Sequence, residues 1–133
     1  MVSLLLTVVL ASLTSEQNLQ QDYADAYQQS VSENKPLMVV IGAPWCPACN
    51  VLKDTTLKPM ANSGELDDVS LVLINRDEAP ELVKQLTNGV RTLPQIIVYS
   101  KEDTGKWKRR RLMGFQSRQP VRTLIRTALG RRG

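Results

Sequence analysis

The chain has 133 residues, enough for one domain with its own core, and its 42% hydrophobic and 23% charged content is that of an ordinary globular protein. Two cysteines are too few for a disulfide framework, and the absence of histidine excludes a self-contained Cys/His zinc centre and a Cys–His catalytic dyad. Charge is unevenly divided: residues 1–100 carry 6 Lys/Arg against 11 Asp/Glu, and residues 101–133 carry 11 against 2.

Residues 1–13, MVSLLLTVVLASL, are almost wholly apolar. They are short for a membrane span of about 20 residues and fit an export signal or membrane anchor, with an N-terminal strand as the other reading. The segment lacks a basic stretch ahead of the apolar run, which weakens the signal-peptide pattern. The expectation is an extracytoplasmic protein, periplasmic or membrane-anchored, with a cytoplasmic one as the alternative. Residues 14–133 form the expected folded domain.

The run from Thr14 to Pro36 predicts a helix, with capping-box spacing at Thr14 and Gln17 and an apolar stripe of Leu19, Tyr23, Tyr27 and Val31. Pro36 stops it, and the continuous apolar run 37–41, LMVVI, predicts a strand covered on both faces. A second helix begins at Cys46, turning Cys49, Leu52 and Thr56 or Leu57 inward. A polar break at 60–68 precedes a strand at 69–74, a short helix at 79–86 with Pro80 near its start, and Asn88-Gly89 to end it.

Residues 95–100 and 107–113 predict a β-hairpin across the turn KEDTGK. After Gly114, residues 117–130 predict a closing helix burying Val121, Leu124, Ile125 and Leu129. The first strand pair is joined by a helix and is therefore parallel, and the hairpin is antiparallel. The pattern is an α/β layered domain with a mixed central sheet and helices on both faces.

The chemistry concentrates in GAPWCPACNVLKD, residues 42–54. With Cys46 at the N-cap, Pro47 takes the first helical position, where its missing N–H is harmless. The free amides of Ala48 and Cys49 then point at the Cys46 sulfur, and the helix dipole adds to them. Both favour the thiolate, so its pKa falls below the usual thiol value and Cys46 is expected as a nucleophile. Cys49, one turn deeper on the same face, is placed to resolve a mixed disulfide. Two rival readings remain: a non-catalytic binding or chaperone module, and a dimer pooling its cysteines in a Cys₄ metal site.

The segments WCPAC (45–49) and GVRTLP (89–94), with Gly114 after the hairpin, resemble the thioredoxin superfamily over residues 17 to 130. Residues 22–54 look more like the periplasmic-type domains that reduce protein disulfides than like cytosolic thioredoxin. The resemblance implies a thioredoxin fold and a thiol–disulfide oxidoreductase, with the Cys46–Cys49 pair as its redox centre and no separate cofactor. It implies that Pro94 is a cis-proline facing the cysteines, although the residues alone equally allow a trans turn proline. Trp45, Pro47, Thr92, Leu93 and Pro94 would then receive the substrate, with the Leu93 backbone pairing to an extended segment.

Two positions depart from the family. Val40 stands where a buried acid would accept the proton of Cys49, so water or another acid must do so. Gly42 stands where thioredoxin has a further tryptophan. The Pro47-Ala48 dipeptide lacks the histidine of strongly oxidising relatives, so a mid-range potential of roughly −200 to −270 mV is expected, in the reductase direction. Expected partners are protein disulfides and an electron donor of unspecified kind. A monomer is expected, with membrane association through the N-terminal segment as an option. Nucleic acid is disfavoured, because the basic run KWKRRR (106–111) reads better as a charged edge strand.

Overall fold

The computed structural model describes residues 22–130. The expected N-terminal apolar segment and the Thr14–Gln17 capping box lie outside them. Helix α1 (Tyr23–Glu33) starts at Asp22, whose extended backbone and carboxylate cap the Asp25 amide at 2.8 Å. The expected helix from Thr14 to Pro36 is therefore broken at Asp22, and its described part begins at Tyr23.

Its buried face is also corrected. Ala26 and Ser30 face the sheet, while Tyr27 and Val31 are exposed. The reason is close approach: the Ser70 hydroxyl at the start of β2 (Ser70–Asn75) donates to the Ala26 carbonyl at 2.6 Å, a distance that suits small residues on the helix. Tyr23 is partly buried against the core, as its place in the expected stripe implies, and stacks on the exposed Tyr27 with ring centroids 6.5 Å apart.

Strand β1 (Leu37–Gly42) is buried from Leu37 to Ile41, as a continuous apolar run demands. It pairs in parallel with β2 and antiparallel with β3 (Gln95–Lys101), which pairs antiparallel with β4 (Trp107–Met113). The sheet order is β2-β1-β3-β4, the mixed sheet expected from the pattern. Alternation of side chains divides the core in two. Met38, Val40, Ile96 and Val98 pack on one face with Leu52, Leu57 and Met60 and with Val121, Leu124 and Ile125 of helix α5 (Arg118–Ala128). Leu37, Val39, Ile41, Val72 and Ile97 pack on the other with Ala26 of α1 and with Val83 and Leu86 of helix α4 (Pro80–Thr87).

The helix that begins at Pro47 runs to Asn62 in three pieces: α2 (Pro47–Val51), a π-helical turn (Leu52–Leu57) and α3 (Lys58–Asn62). The wide turn ends two residues before Pro59, which has no N–H to continue an α-helical ladder. The helix thus extends into the stretch expected to be a polar break. The turn brings both Thr56 and Leu57 inward, where sequence spacing offered one or the other. Thr56 Oγ1 donates to the Gln116 carbonyl at 2.7 Å, fastening the helix to the loop after β4.

Candidate functional site

The site lies at the C-terminal end of β1, in the centre of the sheet. The chain leaves β1 at Gly42, crosses Ala43, Pro44 and Trp45, and enters α2 with Cys46 as N-cap and Pro47 behind it. Cys46 has extended backbone, and its sulfur accepts the Cys49 amide at 3.2 Å. Of the two amides expected to point at this sulfur, that of Cys49 therefore does so. Cys46 and Cys49 are joined by a disulfide, with Cα atoms 5.3 Å apart. One expectation is reversed: Cys46 is the more buried residue, 6% exposed, and Cys49 is partly open.

Gly42 explains how Cys49 is seated. A Cβ on residue 42 would lie 3.1 Å from Cys49 Cβ and 3.3 Å from its sulfur, so the missing side chain is the space Cys49 uses. Beside them opens a cavity of about 730 Å³, lined by Gly42, Cys49, Asn50, Lys53, Asp22 and Glu78 among others. Val40, 6% exposed, also faces it, so the β1 position expected to lack an acid contributes only apolar surface.

Trp45 is 59% exposed yet held in place. Its indole N–H donates to Asp77 Oδ2 at 2.7 Å, and the Arg76 guanidinium lies over the ring, 5.1 Å from its centroid. Arg76 Nη1 also donates to the Arg91 carbonyl at 3.1 Å, which links the tryptophan to the segment carrying Thr92, Leu93 and Pro94. The Leu93–Pro94 bond is cis, as the resemblance implied. Thr92 is exposed, Leu93 packs partly into the core, and Pro94 is buried and borders the same cavity as Cys49. Gly114, at a positive φ of 80° that favours glycine, donates its amide to the Pro94 carbonyl at 2.8 Å. The flanking Met113 and Phe115 are half exposed.

Sequence reasoning missed Arg76, Asp77 and Gln95. Gln95 is fully buried, and its amide nitrogen donates to the carbonyls of Val90 and Thr92 at 2.9 Å each, bracing the loop from beneath. A polar residue opening an otherwise apolar strand directly after a proline was the available signal. Arg76 and Asp77 gave none, since their importance depends on a tryptophan 32 residues away from Asp77.

A family model described as "Thioredoxin-like" matches residues 18–101, more than half of the chain. The chain belongs to the thioredoxin-like family. It is 26% identical over 103 residues to a thioredoxin of Alicyclobacillus acidocaldarius, covering 77% of this chain and 90% of that one. Its fold is similar to the solution structure of a Thermus thermophilus thioredoxin, with a TM-score of 0.68, 21% identity, and 83% and 85% of the two chains covered. A chloroplastic thioredoxin z gives 0.65 at 22% identity, covering 84% and 93%. A thioredoxin-like domain whose CXXC pair closes into a disulfide is a thiol–disulfide oxidoreductase. Among the described residues no group of three or more His, Cys, Asp or Glu side chains is arranged to hold a metal.

Proposed function

We propose that this chain reduces disulfides in protein substrates, with Cys46 as the attacking group and Cys49 as the resolving one. The observation that carries the reading is the Cys49 amide aimed at the Cys46 sulfur where the helix begins. In the reduced protein the same donor and the helix dipole act on a thiolate, lowering its pKa.

Cys46 S⁻ attacks one sulfur of the substrate disulfide, and the other substrate sulfur leaves as a thiolate that takes a proton from water. Cys49 then loses its proton to water in the adjoining cavity, since Val40 offers no acceptor. Its thiolate attacks Cys46 Sγ, expels the second substrate sulfur and leaves the Cys46–Cys49 disulfide. Two electrons pass from the dithiol to the substrate. Trp45, Pro47, Thr92, Leu93 and Pro94 form the receiving surface, and the half-exposed Met113 and Phe115 extend it with apolar area.

Insulin reduction with dithiothreitol as donor tests the reading. The wild type should precipitate the insulin B chain faster than Cys46→Ser, which should match the uncatalysed rate; equal rates for the two proteins would end it. The reductase direction rests on the Pro47-Ala48 dipeptide. Equilibration against a glutathione buffer should return roughly −200 to −270 mV, and a value near −120 mV, that of a strong oxidant, would overturn it.

The exposed indole of Trp45 and its apolar neighbours favour one second reading, a binding module that uses the groove without redox turnover. Full cellular function of a Cys46→Ser/Cys49→Ser double variant would decide for it. The extracytoplasmic placement rests on the apolar run at residues 1–13, and N-terminal sequencing of the mature protein from separated cell fractions tests it. No described helix is long and apolar enough to cross a membrane. The proposed species in solution is a monomer.

A further inference from the structure

The receiving surface has two walls from distant parts of the chain, Trp45 ahead of α2 and the loop 90–94 ahead of β3. Arg76 touches both. It follows β2 directly, and its amide donates to the Gly42 carbonyl at the end of β1 at 2.9 Å, which fixes its backbone. From there the guanidinium lies over the Trp45 ring, 5.1 Å from its centroid, while Nη1 donates to the Arg91 carbonyl at 3.1 Å. Asp77 takes the indole N–H at 2.7 Å, so consecutive residues hold the ring by its face and by its edge. The turn that carries them is itself braced. The Asp77 amide donates to Asn75 Oδ1 at 2.9 Å, and the amides of Glu78 and Ala79 donate to the Asn75 carbonyl.

The opposite wall is pinned along its length. Gln95 holds the carbonyls of Val90 and Thr92 from beneath, Arg76 holds that of Arg91 between them, and the Gly114 amide holds that of Pro94. A guanidinium suits the position of Arg76, because it stacks by its flat face while its N–H groups donate in its plane. An ammonium group is a point donor with no face to stack.

We propose that Arg76 is a positioning residue, which sets the separation of Trp45 and the 90–94 loop so that a protein substrate meets a preformed groove. The inference rests on the substrate-reducing reading above. Arg76 takes no part in the exchange of electrons and acts through the two walls it joins. Ordering both walls beforehand lowers the cost of binding a protein chain and leaves the attack of Cys46 on the disulfide as it was.

The test is steady-state insulin reduction by Arg76→Met, which keeps an apolar stem and removes the donors and the charge. KM for insulin should rise about tenfold, the scale of a lost charge-assisted hydrogen bond, with kcat close to wild type. Reduction of bis(2-hydroxyethyl) disulfide, which has no chain to lay in the groove, should change by less than about twofold. An unchanged KM in a variant with wild-type urea unfolding overturns the proposal. An equal loss with the small disulfide also overturns it, since the damage would then lie at the cysteines. Arg76→Lys separates position from charge: it should fail to restore KM, and full restoration would overturn the proposal in favour of simple attraction of acidic substrates. The two readings fail separately. Wild type no faster than Cys46→Ser ends the reductase reading, whereas active wild type with an indifferent Arg76→Met ends this one alone.

Discussion

Two stretches of this chain stand out by composition, the cysteine loop at 42–54 and the basic hairpin strand at 106–111, and the fold treats them in opposite ways. Around the cysteines, chemically capable groups are left open: Cys49 faces a cavity and Trp45 stands in solvent. Along β4 the arginines are directed into the fold. Arg109 Nη2 donates to the Leu86 carbonyl at 2.8 Å and Arg111 Nη1 to that of Thr87 at 3.5 Å, both at the C-terminal end of α4, where cations complement the helix dipole. Arg110 Nη1 donates to Ser100 Oγ at 2.9 Å, and Lys108 lies 3.8 Å from Glu102. Much of the charge on β4 thus closes the end of a neighbouring helix. The cysteine pair instead keeps open space beside it, where Gly42 has no side chain and a cavity adjoins Cys49.

The sharpest way to break this contrast is to remove the resolving thiol. Cys49→Ser should accumulate a covalent Cys46 adduct with a disulfide-bearing protein, visible on a non-reducing gel and absent from Cys46→Ser. Replacing Arg109, Arg110 and Arg111 together by Gln should leave the rate per folded molecule unchanged. A loss of rate in that triple variant would make the basic strand part of the site after all.

Next in size is the cost of opening the end of α4. Arg109→Ala removes a charge-assisted bond to Leu86 and should cost about 1.5–3 kcal/mol in urea unfolding, with insulin reduction intact. A smaller effect is expected from Asp77→Ala, which frees the Trp45 indole. A lost hydrogen bond of about 1 kcal/mol corresponds to roughly a fivefold rise in KM for a protein substrate, with kcat little changed.

The smallest effect is a slope. Arg122 Nε donates to Glu65 Oε1 at 2.6 Å, and this bond holds the Glu65 carboxyl below its usual value, partly opposed by desolvation. A carboxyl depressed in the folded state adds stability above its unfolded value and loses it as pH falls through the folded one. The melting temperature should therefore fall less steeply below about pH 4 in Arg122→Ala than in the wild type.

The sheet was legible because its strands are continuous apolar runs, 37–41 and 95–100 above all, whose pattern leaves little choice. The dithiol was legible because CPAC carries its local geometry in four residues. What the sequence obscured depended on distance or on competition. The face of α1 was misread at Tyr27 and Val31, which outweigh Ala26 and Ser30 in hydrophobicity, while β2 needed small residues to come close. The relative burial of the cysteines was misread because Gly42 acts from the preceding strand. Arg76 and Asp77 were invisible because Trp45 meets them only after β1 and β2 pair.

The sheet order has one more consequence. Among the described strands β1, which ends at the reactive loop, lies between β2 and β3, whereas β2 and β4 each have one neighbour. Fraying should therefore begin at those two margins, and amides from Met38 to Ile41 should be among the last to exchange with heavy water. The redox end is mounted on an interior strand, so the protein can breathe at its rims without unseating the sulfurs.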